Sequence, residues 1–283
     1  MSEYRIKPKH CPQSEGLTMR ALSWNVKGAS ADSLDVWDEL TSLNPDVALL
    51  QEVAGVSDDL LSTHRFIGFH ASTKKGGKQR FKTGVLVRGG VVTPVRLTSD
   101  DRHLQEALDA YSGNIVHIRW ERQSGEVWHL LSCYSPAWPL FSFRTRIPRA
   151  MRAFRSKLSD DLWLTDLLHR YVREQLQMAE DGARWMVAGD FNSATTFSWE
   201  RGQNQEFMDN MLAAGLEDAI FNMAEGAVPT FRHSRGSVKH QLDYFYLCAA
   251  AKERLISCKV LDDRGVFECS LSDHLPLLGV WSD

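Results

Sequence analysis

Two short segments, far apart in the chain, each join an apolar run to acidic, amide or imidazole side chains. The first reads Trp-Met-Val-Ala-Gly-Asp-Phe-Asn over residues 185–192, and the second reads Leu-Ser-Asp-His-Leu-Pro over residues 271–276. The apolar run in each predicts a buried strand. Placing polar groups beside it is costly unless they are paired or bind a metal ion. Two such clusters in one chain indicate a shared site and therefore an enzyme.

Length and composition are those of one globular domain, since 43% of the 283 residues are hydrophobic and 24% are charged. No apolar stretch approaches the roughly 18 residues of a membrane span. The polar N-terminus lacks the apolar segment of a secretory signal, and the five scattered cysteines suit a reducing compartment. We therefore expect a cytoplasmic protein with a short or disordered N-terminal arm over residues 1–18 and a single domain over residues 19–283.

Hydrophobic periodicity predicts strands and helices throughout the domain. Helices are predicted from Ser33 to Asn44, over most of 144–180, and around 204–214. The predicted strands are 19–26, 46–52, 83–88, 114–120, 127–134, 184–189, 241–248 and 275–281. Some strands alternate with helices, whereas others pair as hairpins. This mixture favours a layered α/β or α+β fold with mixed sheets.

Three polar residues follow the predicted strands 46–52 and 184–189. Glu52 lies where the chain leaves the sheet, and a carboxylate there is a natural ligand for Mg²⁺, which prefers oxygen. An exposed acid at the start of a loop is an equally weighted alternative. Asp190 and Asn192 are two residues apart, so both side chains point to one side if the strand continues. The alternative for this pair is a turn closed by its own side chains.

The Asp-His dipeptide at 273–274 gains weight from Asp243, which lies within an apolar strand and needs a partner. A histidine held by a carboxylate through one nitrogen, with the other facing a substrate, is a recurring catalytic arrangement. We therefore place Asp243 behind His274. Asn25 and Tyr134 also lie at predicted strand ends. Together these donors and carboxylates suit the hydrolysis of a phosphate ester.

Six motifs follow one another along the chain: WNVKG at 24–28, LLQE at 49–52, YSP at 134–136, GDFN at 189–192, QLDY at 241–244 and SDHLP at 272–276. In this order they resemble the endonuclease/exonuclease/phosphatase superfamily, which has the DNase I-like fold, and the resemblance covers residues 19–281. It implies a four-layered α/β sandwich, with two central, mostly antiparallel mixed β-sheets flanked by helices. Residues 19–283 would then be the catalytic domain.

The resemblance also implies a role for each polar residue. Glu52 would ligate a divalent metal, with Asp273 as a second ligand, and the ion would be Mg²⁺, which Mn²⁺ can replace. Asp190 would orient or deprotonate the attacking water. His274, positioned by Asp243, would stabilise charge on the phosphoryl group. Three further side chains would hold the phosphate oxygens: Asn25, Asn192 and Tyr134.

The motifs at 134–136 and 241–244 resemble the abasic-endonuclease branch of the superfamily in particular. Three features depart from that branch, which carries Asn in place of Ala137, commonly an acid or amide in place of Lys27, and an arginine shortly before Ile115, where this chain reads Ala-Tyr-Ser-Gly-Asn. The chain between Tyr134 and Asp190 is also longer than in that branch. The resemblance therefore supports the hydrolytic chemistry but leaves abasic-site specificity open.

Two basic stretches bear on the substrate. Residues 74–82 carry five positive charges, and further arginines lie on the predicted helix after Tyr134. The functional interpretation is a surface that tracks phosphates without reading sequence, and a solvated charged face is the equally weighted alternative. The candidate substrate-binding residues are Lys27, Arg144, Arg149, Arg152 and Arg155.

We therefore expect a metal-dependent phosphodiesterase that hydrolyses phosphate esters by in-line water attack, with nucleic acid, and DNA in particular, as its substrate. A repair-type endonuclease or exonuclease is the favoured form. The first alternative is a phosphomonoesterase or a lipid or inositol-phosphate phosphodiesterase on the same fold, and the second is a catalytically silent binding module. No segment indicates an obligate protein partner.

Overall fold

Two six-stranded β-sheets lie at the centre of the described chain. The computed structural model describes residues 18–74, 77–141, 147–197, 201–233, 236, 238–262 and 264–282. Numbered along the chain, its strands are β1 (Thr18–Asn25), β2 (Val47–Val53), β3 (Arg65–Ser72), β4 (Lys78–Val87), β5 (Val91–Val95), β6 (Ile115–Glu121), β7 (Val127–Tyr134), β8 (Arg184–Asp190), β9 (Leu216–Asp218), β10 (Phe231–Arg232), β11 (Val238–His240), β12 (Asp243–Cys248), β13 (Leu255–Val260) and β14 (Leu277–Ser282).

Helices connect and flank the sheets. They are α1 (Leu34–Ser42), α2 (Asp58–Thr63), α3 (Arg102–Ala110), α4 (Leu164–Gln177), α5 (Arg201–Ala213), α6 (Ala219–Ala224) and α7 (Ala249–Lys252), with a short 3₁₀ helix at Arg149–Ala153. Helix α1 shows why they pack on the sheets, since Val36, Trp37 and Leu40 form one buried stripe at helical spacing. Within the described part of the chain, no helix is both long and apolar enough to cross a membrane.

The strand order confirms the predicted fold class. The first sheet runs β13-β14-β1-β2-β4-β3 and the second runs β5-β6-β7-β8-β12-β9. Strands β1 and β2 are parallel, as are β7 and β8, whereas the other paired strands of both sheets are antiparallel. A separate pair, β10 and β11, lies outside the two sheets. The protein therefore has two mostly antiparallel mixed sheets with flanking helices, as the resemblance implied.

The core lies between the two sheets, which explains the long apolar runs in their central strands. Trp24, Leu49, Leu130 and Phe245 are all fully buried. Strands covered on both faces read as continuous hydrophobic runs rather than as alternating patterns. Polar contacts also cross the layer, since the Gln51 amide Nε2 donates to Ser132 Oγ at 3.0 Å and Ser132 Oγ donates to the carbonyl of Leu50 at 3.2 Å.

The region 144–180 contradicts the predicted long helix in its first half. Over the described residues 147–163 the chain forms only the short 3₁₀ helix, and α4 begins at Leu164. Serine side chains explain the break, because Ser156 Oγ accepts from the backbone N–H of Leu158 at 3.0 Å and Ser159 Oγ accepts from that of Asp161 at 3.1 Å. Such local bonds compete with helical backbone bonds. Leu158, which continues the apolar spacing of Ile147, Met151 and Phe154, is exposed.

Helix α3 is an element that the periodicity analysis missed. Its cap residue is Asp101, whose carboxylate accepts from the backbone N–H groups of His103 at 2.8 Å and Leu104 at 3.2 Å. Leu104, Ala107 and Leu108 are its buried residues. An Asp cap followed by this spacing is a recognisable start signal. The helix was missed because it lies within a mostly polar segment.

Candidate active site

Strand register brings the predicted polar residues of the second sheet side by side. Asp190, the last residue of β8, pairs with Tyr134 on β7 and with Asp243 on β12. On the first sheet, Asn25 at the end of β1 pairs with Gln51, so Glu52 follows directly beside it. The two sheets therefore present their carboxylate and amide groups at the same end of the core.

Gly189 permits the close approach of β7 and β8 just before Asp190. Its φ of +147° lies outside the range that side chains readily adopt. A Cβ at this position would lie 2.0 Å from the carbonyl oxygen of Cys133. The glycine in the motif is therefore required by packing, and it sets the position of the carboxylate that follows.

Asp190 is the centre of a hydrogen-bond network that joins the two sheets. Its Oδ2 accepts from the Asn25 amide at 3.0 Å and from the Asn192 amide at 3.1 Å, and its Oδ1 accepts from the backbone N–H of Asn192 at 2.9 Å. The Asn25 amide also donates to Glu52 Oε1 at 3.1 Å, and the Asn192 amide also donates to the carbonyl of Ser135 at 2.7 Å. Each amide nitrogen therefore donates both of its N–H groups to these partners.

His274 lies between two buried carboxylates. Its Nδ1 is 2.8 Å from Asp243 Oδ2, which also accepts from the Thr230 hydroxyl at 2.6 Å. Its Nε2 lies 3.7 Å from Asp190 Oδ2. That distance is too long for a direct hydrogen bond, so the Nε2–H group remains available to a third group, such as a phosphate oxygen. The predicted placement of Asp243 behind His274 is what the structure shows.

The charges in this cluster are coupled. Burial raises the pKa of the Asp190 carboxyl, and the positive charge of His274 offsets only part of that rise. Burial alone would lower the pKa of His274, but the carboxylates of Asp243 and Asp190 raise it well above 6.5. The imidazole is therefore a cation at neutral pH. Asp190 has a higher proton affinity than an exposed carboxylate, as a group that takes a proton from water requires.

Glu52 adopts a left-handed backbone conformation, with a φ of +55°, at an irregularity in the pairing of β2 with β4. Backbone strain of this kind is common at functional sites. Burial raises the pKa of the Glu52 carboxyl, the Asn25 hydrogen bond opposes that rise, and the negative charge of Asp273 adds to it. Asp273 in turn pairs with Lys27, whose Nζ lies 3.3 Å from Asp273 Oδ2. The predicted metal ligands are thus electrostatic neighbours.

Two groups of side chains could accept a cation. Ligand atoms of Asp190, Asp243 and His274 all lie within 4.8 Å of one another, and all three residues are buried. Hydrogen bonds and the imidazolium charge already compensate these two carboxylates. The Glu52 and Asp273 carboxylates are only partly buried and repel each other, and a hard cation with oxygen ligands would relieve that repulsion. The donor chemistry of this second pair fits Mg²⁺ better.

Tyr134 belongs to the same site. Burial raises the pKa of its hydroxyl, and the negative charges of Glu52 and Asp190 raise it further. The phenol therefore stays protonated and can only lend its proton as a hydrogen-bond donor. Its ring packs edge-on against Phe81, with 5.1 Å between ring centroids. This contact fixes the ring beside the basic strand β4.

The predicted substrate-binding arginines are the residues least connected to the site. Arg144 lies outside the described residues. Arg149 is exposed, Arg152 Nε donates to the carbonyl of Ile147 at 3.3 Å, and Arg155 pairs with Asp160 at 2.9 Å. These contacts are local to the segment around the 3₁₀ helix. Whether the arginines meet a substrate remains a prediction.

Sequence reasoning missed Thr230 and Ser272, which brace His274. Thr230 is fully buried and, besides donating to Asp243, accepts from the backbone N–H of Leu242 at 3.0 Å. Ser272 Oγ donates to the carbonyl of Asn25 at 2.6 Å and accepts from the backbone N–H of His274 at 3.1 Å. Ser272 lies inside the motif at 272–276 and could have been included on that ground. Thr230 stands in an irregular segment that carries no pattern of its own.

Replacing Thr230 with valine is expected to lower the free energy of unfolding by about 1–3 kcal/mol, because buried groups lose their partners. Hydrolysis should fall roughly tenfold, because the carboxylate that positions His274 is held less firmly. Chemical denaturation and steady-state kinetics measure the two effects. Thr83→Val is the matched control, since the Thr83 hydroxyl is also buried but has no hydrogen-bond partner among the described residues. Equal losses in both variants would contradict the special position of Thr230.

Comparison with known proteins places the chain in a family. The sequence profile of the Endonuclease/Exonuclease/phosphatase family matches residues 22–274, whereas no curated protein matches the chain. The AP endonuclease LMAP from Leishmania major is 16% identical with a TM-score of 0.64, covering 94% of this chain and 88% of that chain. An AP endonuclease from Archaeoglobus fulgidus is 16% identical with a TM-score of 0.64, covering 93% and 99%.

A third similar structure is the 3'-5' exonuclease NExo from Neisseria meningitidis, at 18% identity and a TM-score of 0.64, covering 94% of this chain and 100% of that chain. At these identities the solved structures show a shared fold. The profile match spans most of the chain and includes all the predicted catalytic residues from Asn25 to His274. The chain therefore belongs to the endonuclease/exonuclease/phosphatase family, and it is a phosphoester hydrolase.

Proposed function

We propose that this protein is a divalent-metal-dependent phosphodiesterase that cleaves DNA. The observation that carries the proposal is the position of Asp190 Oδ2, which accepts from two amides and lies 3.7 Å from the imidazolium Nε2 of His274. A fixed base beside a fixed cation is the arrangement needed for water to attack a phosphorus atom. It lets one group take the proton while the other meets the charge that develops.

The hydrogen bonds favour a division of roles that differs in part from the predicted one. Asn25 and Asn192 use both N–H groups of their amides on carboxylate and carbonyl oxygens. We therefore assign them to holding Asp190 and Glu52 in place. The Tyr134 hydroxyl and the His274 Nε2–H group are then the donors that contact the phosphate oxygens. Asp190 accepts the proton of the attacking water.

The metal would be held by Glu52 and Asp273. When bound, a divalent cation such as Mg²⁺ supplies positive charge that polarises the phosphate and stabilises the leaving oxygen. The observation that favours this pair is the mutual repulsion of two neighbouring, partly buried carboxylates. Lys27 neutralises part of the negative charge of Asp273. With a metal ion bound there, Lys27 would release Asp273 and contact the substrate phosphate instead.

Two observations favour DNA as the substrate. Strand β4 carries Lys78, Arg80 and Lys82 on either side of Phe81, the ring that packs against Tyr134. Because neighbours along a strand point to opposite faces, Arg80 and Lys82 lie on the other face of β4 from Phe81, next to the site rather than in it, where they could neutralise the backbone phosphates of a long substrate. The similar structures include AP endonucleases and a 3' phosphatase from Neisseria bound to a product DNA hairpin, which is 20% identical with a TM-score of 0.62. A nucleic-acid substrate therefore ranks above a lipid or inositol phosphate.

The test is hydrolysis of plain duplex DNA, abasic duplex DNA and a 3'-phosphorylated duplex, each with added Mg²⁺ or with a chelator. We expect cleavage only with the metal. Glu52→Gln should raise the Mg²⁺ concentration needed for half-maximal rate by at least about a hundredfold, because loss of even an indirect metal contact costs 10- to 100-fold. Glu121→Gln, at the end of β6, is the matched control. Metal-independent cleavage, or an unchanged requirement in Glu52→Gln, would refute the assignment.

A further inference from the structure

A cavity of about 420 Å³ opens beside the candidate active site. Asn192, whose amide holds Asp190, lines one side of it, and Ser135 lies next to Asn192. Phe231 lines another side, and its ring centroid lies 4.9 Å from that of His274. The volume falls in the range of roughly 300–1,000 Å³ typical of small-molecule sites. A group in this cavity would be joined directly to a phosphate bound at the site.

The walls of the cavity are aromatic. Trp163, Phe191, Phe197 and Phe231 contribute to the lining from three separate segments of the chain. Phe191 is fully buried and lines the cavity together with Leu242, whereas at the rim His233 is exposed and His240 is half-buried. Aromatic rings stack well on other flat π-systems. A sugar alone offers no such face, but a nucleobase does.

One polar side chain of the cavity wall is buried without a partner. Gln203, near the start of α5, is 3% exposed, and its Oε1 has no hydrogen-bond partner among the described residues. The adjacent polar pair differs, since Ser193 Oγ donates to Asn204 Oδ1 at 2.6 Å and the Asn204 amide donates to the carbonyl of Ala194 at 3.1 Å. A buried amide oxygen left unpaired costs stability and calls for an explanation.

We infer that the cavity receives a base-bearing nucleotide turned out of a DNA duplex, and that Gln203 hydrogen-bonds to the edge of its base. This inference rests on the proposed function, because the nucleotide would adjoin the phosphate that Asp190 and His274 address. An amide offers a donor beside an acceptor, which matches a base edge that presents the same two groups in reverse. Turning a base out of the stack costs least where it is mismatched.

The substrate class is therefore a nucleotide that retains its base, in addition to any abasic one. Gln203 would be a specificity-determining residue rather than a catalytic one. Its amide would hydrogen-bond to the edge of the base, and the base would give the buried Gln203 Oε1 the partner that it lacks among the described residues. The rings of Phe197 and Phe231 would cover the faces of the base.

The experiment compares two duplexes that differ at one nucleotide, a thymine mismatched with guanine or a stable abasic analogue. Wild-type protein with Mg²⁺ should cleave both. In Gln203→Leu, the ratio of kcat/KM for the mismatched duplex to that for the abasic duplex should fall roughly 10- to 100-fold, the discrimination typical of a bidentate contact to a base. Gln205→Leu, an exposed residue on the same helix, should leave the ratio as in wild type.

An unchanged ratio in Gln203→Leu, or a wild-type enzyme that cleaves the abasic duplex only, would overturn the inference while leaving the proposed function in place. Absence of cleavage on every duplex would refute the proposed function itself. A binding measurement without metal tests the nucleotide pocket separately from DNA cleavage. With 2-aminopurine at the target position, unstacking on binding should raise its fluorescence, and Gln203→Leu should reduce the rise. No fluorescence change with wild-type protein would also overturn the inference.

Discussion

Replacing Asp190 with asparagine is expected to lower kcat for phosphodiester hydrolysis by about 10²- to 10⁴-fold, the usual contribution of a positioned acid or base. The substitution keeps the shape of the side chain but removes its ability to take a proton. Asp190 is buried, and its Oδ2 is the shared acceptor for Asn25 and Asn192. The Asn25 and Asn192 amides would then meet a neutral amide at position 190 instead of a carboxylate. This also weakens the hydrogen bonds that connect the two sheets.

The measurement is single-turnover cleavage of duplex DNA at saturating Mg²⁺, so that metal binding does not limit the rate. Asp218→Asn is the matched control, because Asp218 is another carboxylate whose pKa burial raises, to about 6, and it lies on β9 next to β12. Its Oδ2 accepts from the Gln241 amide at 2.9 Å. The control should retain most of its activity. A rate near wild type in Asp190→Asn would remove this residue from the chemistry, and equal losses in both variants would indicate damage to the fold.

The sequence predicts the fold class because its central strands are continuous apolar runs. The run before Asp190 lies between two other strands of the second sheet, and its glycine is required by packing against Cys133. Composition of this kind identifies buried strands but does not state which strands are neighbours. The parallel pairing of β7 with β8 and the antiparallel pairing of β8 with β12 depend on contacts between segments far apart in the chain. Those contacts have no local signal.

Candidate site residues and one pairing, Asp243 with His274, could be named from the sequence, whereas the other partners could not. Asn25 and Asp190 are 165 positions apart and lie on different sheets, and only the packing of those sheets makes them hydrogen-bond partners. Thr230 was missed for the same reason. The long helix predicted after Tyr134 was wrong for a different reason. Serine side chains bond to the backbone there and override an apolar spacing that suggested a helix. Periodicity predicts the buried face of an element but not the competition for its backbone.

Replacing Asp243 with asparagine is the second change with a large expected effect, a loss of about 10²- to 10⁴-fold in kcat with a much smaller change in KM. His274 Nδ1 lies 2.8 Å from Asp243 Oδ2. Without that carboxylate, burial would lower the pKa of His274 with less to oppose it, and the imidazole would lose positive charge. The charge matters most in the transition state, so kcat rather than substrate binding should suffer.

A double-mutant cycle distinguishes this role from a merely structural one. Asp243 acts through His274, so removing both should cost no more than removing His274 alone. We expect Asp243→Asn combined with His274→Gln to match the kcat of His274→Gln within about twofold, since residues that act as a unit are not additive. If the two losses multiplied instead, Asp243 would stabilise the strand end independently of the histidine. Thermal unfolding of all three variants, at the same ionic strength, shows whether the compared proteins are equally folded.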